Sequence, residues 1–120
     1  IRGLKDYLSH GPVDIFRTIG DFCGGISVMR RMAAICDAYE VRFHPHSYGS
    51  TLGQAAHFNV MLANKNCKWL ELPLPLEDWA TGMKDTVQIT ADGEALAPVK
   101  PGLGYEVDEE AVRRLTIETI

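Results

Sequence analysis

Apolar positions along the chain switch between helical spacing and short continuous runs, the signature of alternating helices and strands. In IRGLKDYLSHG, Ile1, Leu4, Tyr7 and Leu8 lie on one helical face, and Gly11 supplies a stop. A short β-branched run after Gly-Pro, VDIFRTI (13–19), predicts a strand. In ISVMRRMAAICDAYE (26–40), Met29, Met32, Ala33 and Cys36 share a helical face and read as core. VRFHPH (41–46) predicts a second strand. STLGQAAHFNVMLAN (50–64) predicts a helix, with Ser50 or Thr51 as N-cap and Thr51-x-x-Gln54 matching a capping box. CKWLEL (67–72) predicts a third strand.

The strands start about 25–28 residues apart, the period of repeated βα units with short connections. Such crossovers place neighbouring strands parallel, with right-handed connections. The carboxyl ends of the strands then share one rim, carrying Thr18–Asp21, His44–His46 and Glu71. Parallel α/β sheets bind ligands at that rim. After Pro73 and Pro75 the rhythm changes. TVQITADGEALAP (86–98) predicts a hairpin turning at Asp92-Gly93 in a type I′ turn. PGLG (101–104) is a turn, and Asp108 caps a last helix with Glu109 and Glu110 in its positive first turn. Two parts are therefore expected: residues 1–80 built from βα units, and residues 81–120 leaving that body to pack elsewhere.

Composition narrows the classes. The 120 residues are 46% hydrophobic and 23% charged, as in a globular domain. A net charge of −4, with only the isolated pairs Arg30–Arg31 and Arg113–Arg114, argues against nucleic acid as a partner. No apolar run nears membrane-spanning length and no signal peptide opens the chain, so a cytoplasmic protein away from membranes is expected. Cys23, Cys36 and Cys67 lack Cys-x-x-Cys spacing and read as buried thiols. A helix that opens at Ile1 without an initiator Met reads as part of something longer.

His44 and His46 are the first candidates for chemistry. Residues i and i+2 of a strand face the same way, so both histidines can look into one cavity. An imidazole there can transfer protons near neutral pH. The same spacing also suits a zinc pair of a hydrolase, although Pro45 between them and the lack of a third nearby ligand weaken that reading. A strand-end histidine that merely makes a hydrogen bond is the plain alternative. Glu71 follows an apolar run one repeat later, and its neighbours Trp69, Leu70 and Leu72 should favour its protonation by desolvation. Here the plain alternative is a rim carboxylate paired with a lysine. Ser47, Tyr48, Gly49 and Ser50 lead into a helix whose amino end attracts anions, which makes Ser47 and Ser50 substrate contacts or Ser50 a simple cap. His57 lies inside a predicted helix and reads as structural.

Taken in order, GGIS, HPHSYGSTLGQAAH, KWLELP and DGEALAPVKPGLGYEVDEEAVRR resemble the C-terminal third of the enolase superfamily. The similarity is to the branch of mandelate racemase and the acid-sugar dehydratases, and it spans nearly the whole chain. It implies an α/β fold made of the last three βα units of a (β/α) barrel, followed by a β-hairpin and a terminal helix returning toward a capping domain. It also implies Mg²⁺ in the complete enzyme, held by strands that precede this chain, with the remainder of the barrel as partner and homo-oligomers as the usual assembly. The implied reaction abstracts a proton α to a carboxylate of a small acid or acid sugar, as a lyase or isomerase. His46 matches the family's seventh-strand catalytic histidine, and Glu71 the eighth-strand glutamate that acts as hydrogen-bond donor or electrostatic partner to the substrate carboxylate. His44 becomes a substrate contact or a support for His46. One departure stands out. The aspartate that orients the histidine in the racemases is replaced by Ile19, leaving Asp21 as a possible histidine partner. That departure argues against a two-base racemase and leaves either a dehydratase using His46 only as general acid or a divergent member with altered chemistry. On this reading the 120 residues alone are inactive. The alternative from another class is a small non-catalytic α/β binding module that folds by itself.

Overall fold

In the computed structural model, which describes residues 1–118, the order of elements is helix, strand, two helices, strand, helix, then a long segment with little regular structure. Helix α1 (Arg2–His10) leads into strand β1 (Ile15–Thr18), and α2 (Gly20–Cys23) and α3 (Gly25–Ala38) form the crossover to β2 (Arg42–Pro45). Helix α4 (Thr51–Leu62) follows, then a single 3₁₀ turn at Leu76–Trp79 and finally α5 (Glu109–Leu115). None of the described helices is long and apolar enough to cross a membrane.

β1 and β2 are parallel, in the register Ile15↔Arg42, Phe16↔Phe43, Arg17↔His44 and Thr18↔Pro45. A two-stranded sheet is marginal alone, so its stability comes from what covers it. Phe16 and Phe43 stack with ring centroids 6.4 Å apart. Against them pack the Met29, Met32, Ala33 and Cys36 stripe of α3, Leu4 and Leu8 of α1, and Val60 of α4. Each fully buried side chain of this size contributes about 1.5–3 kcal/mol relative to exposure. The expected helical stripe is therefore the core, and Arg17 and His44, register partners, share the opposite face of the sheet.

The third predicted strand is not one. Residues 67–72 run extended beside β2, but they join no ladder. Hydrogen-bond parity along β2 gives the reason. Arg42 N–H donates to Asp14 O (3.2 Å) and His46 N–H to Thr18 O (2.7 Å), both toward β1. Phe43 N–H points the other way, to Asn66 O at 3.1 Å, and Ser47 N–H donates to the Glu71 carboxylate at 3.0 Å. Residue 45 has the parity of the outward bonds and is a proline, so the middle rung has no donor.

Two turns also differ from expectation. Gly93 N–H donates to Thr90 O (3.0 Å), Thr90 N–H to Glu94 O (2.8 Å), and Ile89 bridges Ala95. Of Asp92 and Gly93 only Gly93 has positive φ, at 81°. A type I′ turn needs both; the loop is a three-residue turn with a left-handed glycine at its end. At α4, Ser50 alone is the cap, its Oγ accepting from Gly53 N–H at 3.3 Å. The capping box does not form: Thr51 Oγ1 donates to Trp79 O (2.9 Å), and the Gln54 amide donates to Gly49 O (2.7 Å).

Beyond residue 80 the chain folds back onto α4. Val87, buried, joins Phe58 and Met61 in a second core, with Leu70, Leu72, Ala95 and Tyr105 against it. Lys100 then pins the segment, reaching Asp85 at 2.6 Å and Glu106 at 2.9 Å. Asp108 caps α5 as expected, accepting from Ala111 N–H at 2.9 Å.

Candidate active site

The carboxyl ends of β1 and β2 and the end of the extended segment meet, and side chains from all three converge on one carboxylate oxygen. Glu71 Oε2 accepts from Arg17 Nη2 at 2.7 Å and from Ser47 N–H at 3.0 Å, and stands 2.7 Å from His46 Nδ1. Arg17 reaches it because parallel register sets it beside His44, on the face away from the aromatic core. His46 is held by its own backbone bond to Thr18. The side chains of Arg17 and His46 are 48% and 47% exposed and that of Glu71 33%, so the cluster sits at a wetted rim.

Electrostatics reverses one expectation. Burial pushes the Glu71 carboxyl up, but the Arg17 hydrogen bond, the Ser47 N–H, and the charges of Arg17 and His46 outweigh it and hold the group below its usual range. Apolar neighbours in sequence predicted a carboxyl inclined to protonate. The observed one is held low by two donors on a single oxygen, Arg17 and the Ser47 N–H, with His46 Nδ1 beside it.

The other candidates differ in setting, and His44 lines the same cavity as Arg17 and Glu71. His44 is buried, its ring edge-on to Trp69 at 5.2 Å, and its Nε2 has no partner. Burial, followed by the charges of Arg42 and Arg17, lowers its pKa. Ser47 is also buried; its N–H serves Glu71 and its Oγ has no partner. Ser50 is committed to its cap, one of the two roles left open. Asp21 stands beside the first turn of α4, its carboxylate about 3.9 Å from the place a Gly53 side chain would occupy, and makes no ion pair with His46 among the described residues. Helix α2, which the sequence pattern did not suggest, carries it there.

Three features have no clear signature in the sequence pattern. Arg17 is the residue that decides the charge of Glu71, and its signal is a lone cation inside IFRTI, in register with a histidine. His57 does more than fill α4. Its Nε2 accepts the Gly20 N–H at 3.0 Å, tying the turn after β1 to α4, while its Nδ1 is buried without a partner. Tyr48 and Trp79, with centroids 4.6 Å apart, form an aromatic wall beside His46.

Among the described residues no group of three or more His, Cys, Asp or Glu side chains is placed to hold a metal ion. The donor groups among the described residues therefore do not form a Mg²⁺ site, and His46 stands against Glu71 at 2.7 Å.

Comparison with known proteins gives a consistent picture. The family model described as enolase C-terminal domain-like matches residues 1–111. A D-galactonate dehydratase family member from Streptomyces bingchenggensis is 35% identical over 108 residues, which are 88% of this chain and 26% of that protein. A D-galactonate dehydratase from Xanthomonas axonopodis pv. citri is 29% identical over 119 residues, 92% of this chain and 31% of that one. A crystal structure of a Pseudovibrio sp. protein assigned as a mandelate racemase/muconate lactonizing enzyme superposes with a TM-score of 0.93 at 30% identity, covering 98% of this chain and 32% of that one. The chain thus spans between a quarter and a third of the length of these relatives.

Proposed function

The chain belongs to the enolase C-terminal domain-like family, and from that premise we propose that it is the closing part of an acid-sugar dehydratase. Residues 1–80 would supply the sixth to eighth βα units of a barrel, with residues 81–120 returning over them toward a capping domain. The names of the relatives and the shared length support the dehydratase reading. Mg²⁺ would be held by strands outside this chain, where it would supply charge to stabilise an enolate. No residue of this chain is assigned to it.

The observation that carries the proposal is the pairing of His46 with Glu71 at 2.7 Å on the rim shared by successive units. The substrate class is a small polyhydroxy acid. Loss of its α-proton to a base elsewhere in the barrel leaves an enolate. Departure of the β-hydroxyl then requires a proton, which His46 delivers. The resulting enol becomes a keto acid.

The test is release of keto acid by the full-length enzyme from a panel of acid sugars. Turnover of at least one, lost by about 10²–10⁴-fold in His46→Asn, is expected from removal of a general acid. Full activity in that variant would refute the assignment.

A further inference from the structure

We propose that Glu71 is a positioning residue for His46, locked as an anion by Arg17 and the Ser47 N–H, and that this relay does the work of the missing aspartate. The proposal rests on the reading of His46 as the proton-transfer residue. It assigns Glu71 a different task from the substrate-facing donor implied by family resemblance.

Geometry carries the assignment. A hydrogen-bond donor to substrate must be a protonated carboxyl with its proton outward. Yet Glu71 Oε2 already faces two certain donors, the Arg17 guanidinium at 2.7 Å and the Ser47 N–H at 3.0 Å. Neither can accept a proton bond, so both favour the carboxylate. The third neighbour is His46 Nδ1, again 2.7 Å from Oε2. Tyr48 N–H also points toward Nδ1, at 3.4 Å. A neutral imidazole nitrogen either donates or accepts, and the short contact to an anion outweighs the long one from an amide. The proton therefore sits on Nδ1. The bond made by one ring nitrogen fixes what the other can do, and Nε2 is left as the atom that gives or takes the reacting proton.

Position supports the same assignment. The residue that stands five before the Gly24–Gly25 pair is Ile19, which carries no carboxylate, and Asp21 lies by the first turn of α4. The carboxylate reaching His46 comes from the next unit, across β2. Arg17, from the preceding unit, reaches it from the other side. The relay thus spans three successive units. Each member is exposed enough for the rim to serve a ligand, whereas the buried His44 and Ser47 beneath form its floor.

The experiment measures the ring nitrogens of His46 by ¹⁵N NMR in the full chain, above the pH at which the ring is protonated. The native chain should show the Nδ1–H tautomer. Glu71→Ala should turn the ring over to the Nε2–H form favoured by free imidazole. Arg17→Met should retain Nδ1–H but shift the Glu71 carboxyl titration upward, with Arg17→Lys restoring part of the shift. An Nε2–H ring in the native chain overturns the relay, as does a tautomer indifferent to Glu71→Ala. If Glu71→Ala does not fold, the Arg17→Met titration decides: no upward shift overturns the proposal. Failure of the functional reading looks different. In that case His46→Asn leaves turnover of the full-length enzyme intact, whatever the tautomer.

Discussion

Replacing Glu71 by Ala, and separately by Gln, tests how the rim cluster is held. Alanine removes the acceptor from three partners at once. Ser47 is 1% exposed, so its N–H is left buried without an acceptor, which costs about 1–3 kcal/mol. Arg17 and His46 are about half exposed and rehydrate, so each lost contact is worth at most about 1 kcal/mol. The expected loss is about 2–4 kcal/mol, dominated by a backbone amide and not by the ion pairs. Glutamine keeps an oxygen for Ser47 and forfeits only charge, for a loss of about 1 kcal/mol. Urea unfolding followed by circular dichroism measures both, with an unchanged slope confirming that the native state is preserved. Equal losses for the two variants would refute the reasoning, because they would place the stabilisation in the charge.

Other consequences are equally direct. Gly20→Ala places a Cβ 2.7 Å from His57 Nε2 and 2.8 Å from Met29 Cε, so a loss of about 1–3 kcal/mol is expected in the same urea assay; Gly3→Ala, with open space around it, should show none. Pro45→Ala should supply the missing donor to the extended segment, making the amide of residue 45 slow in hydrogen exchange while stability barely moves, since one hydrogen bond of about 1 kcal/mol is offset by a looser unfolded chain. Stability should also fall in two stages as pH drops. Burial, then Arg42 and Arg17, lowers the pKa of His44; burial lowers that of His57 against the opposing charge of Asp21, with His46 adding to the lowering. The unfolded chain takes up those protons first, so stability declines below the ordinary value of 6.5. Glu71 has its pKa depressed, so its contribution is complete above the ordinary 4.5 and is lost as pH falls through the lower folded value. A stability curve flat between pH 7 and 5 would contradict the first stage.

Periodic features of the fold are legible in the sequence itself. The stripe of Met29, Met32, Ala33 and Cys36, the strands around Phe16 and Phe43, and the caps at Ser50 and Asp108 follow from local spacing and local hydrogen bonds. The meeting of His46 and Glu71 is equally legible from their places one repeat apart, although Glu71 lies on a segment that joins no ladder. What stays hidden depends on partners distant in sequence. Pro45 is visible, but its effect depends on which way residue 45 faces in the ladder, a parity set by register with β1. The charge of Glu71 depends on Arg17, 54 positions earlier, and apolar neighbours in sequence give the wrong sign. Asp21 is displaced by a four-residue helix for which GDFC carries no periodic signal. In the hairpin, Asp-Gly marks the turn correctly, yet the pairing of Ile89 with Ala95 sets a loop one residue longer than a type I′ turn spans.

The most direct measurement is a crystal structure, with an acid-sugar ligand bound, of the longer protein in which this chain is proposed to sit. It should show His46 Nε2 within hydrogen-bond reach of the ligand and Nδ1 still against a Glu71 held by Arg17. Glu71 turned onto the ligand, with His46 released from it, would contradict the account.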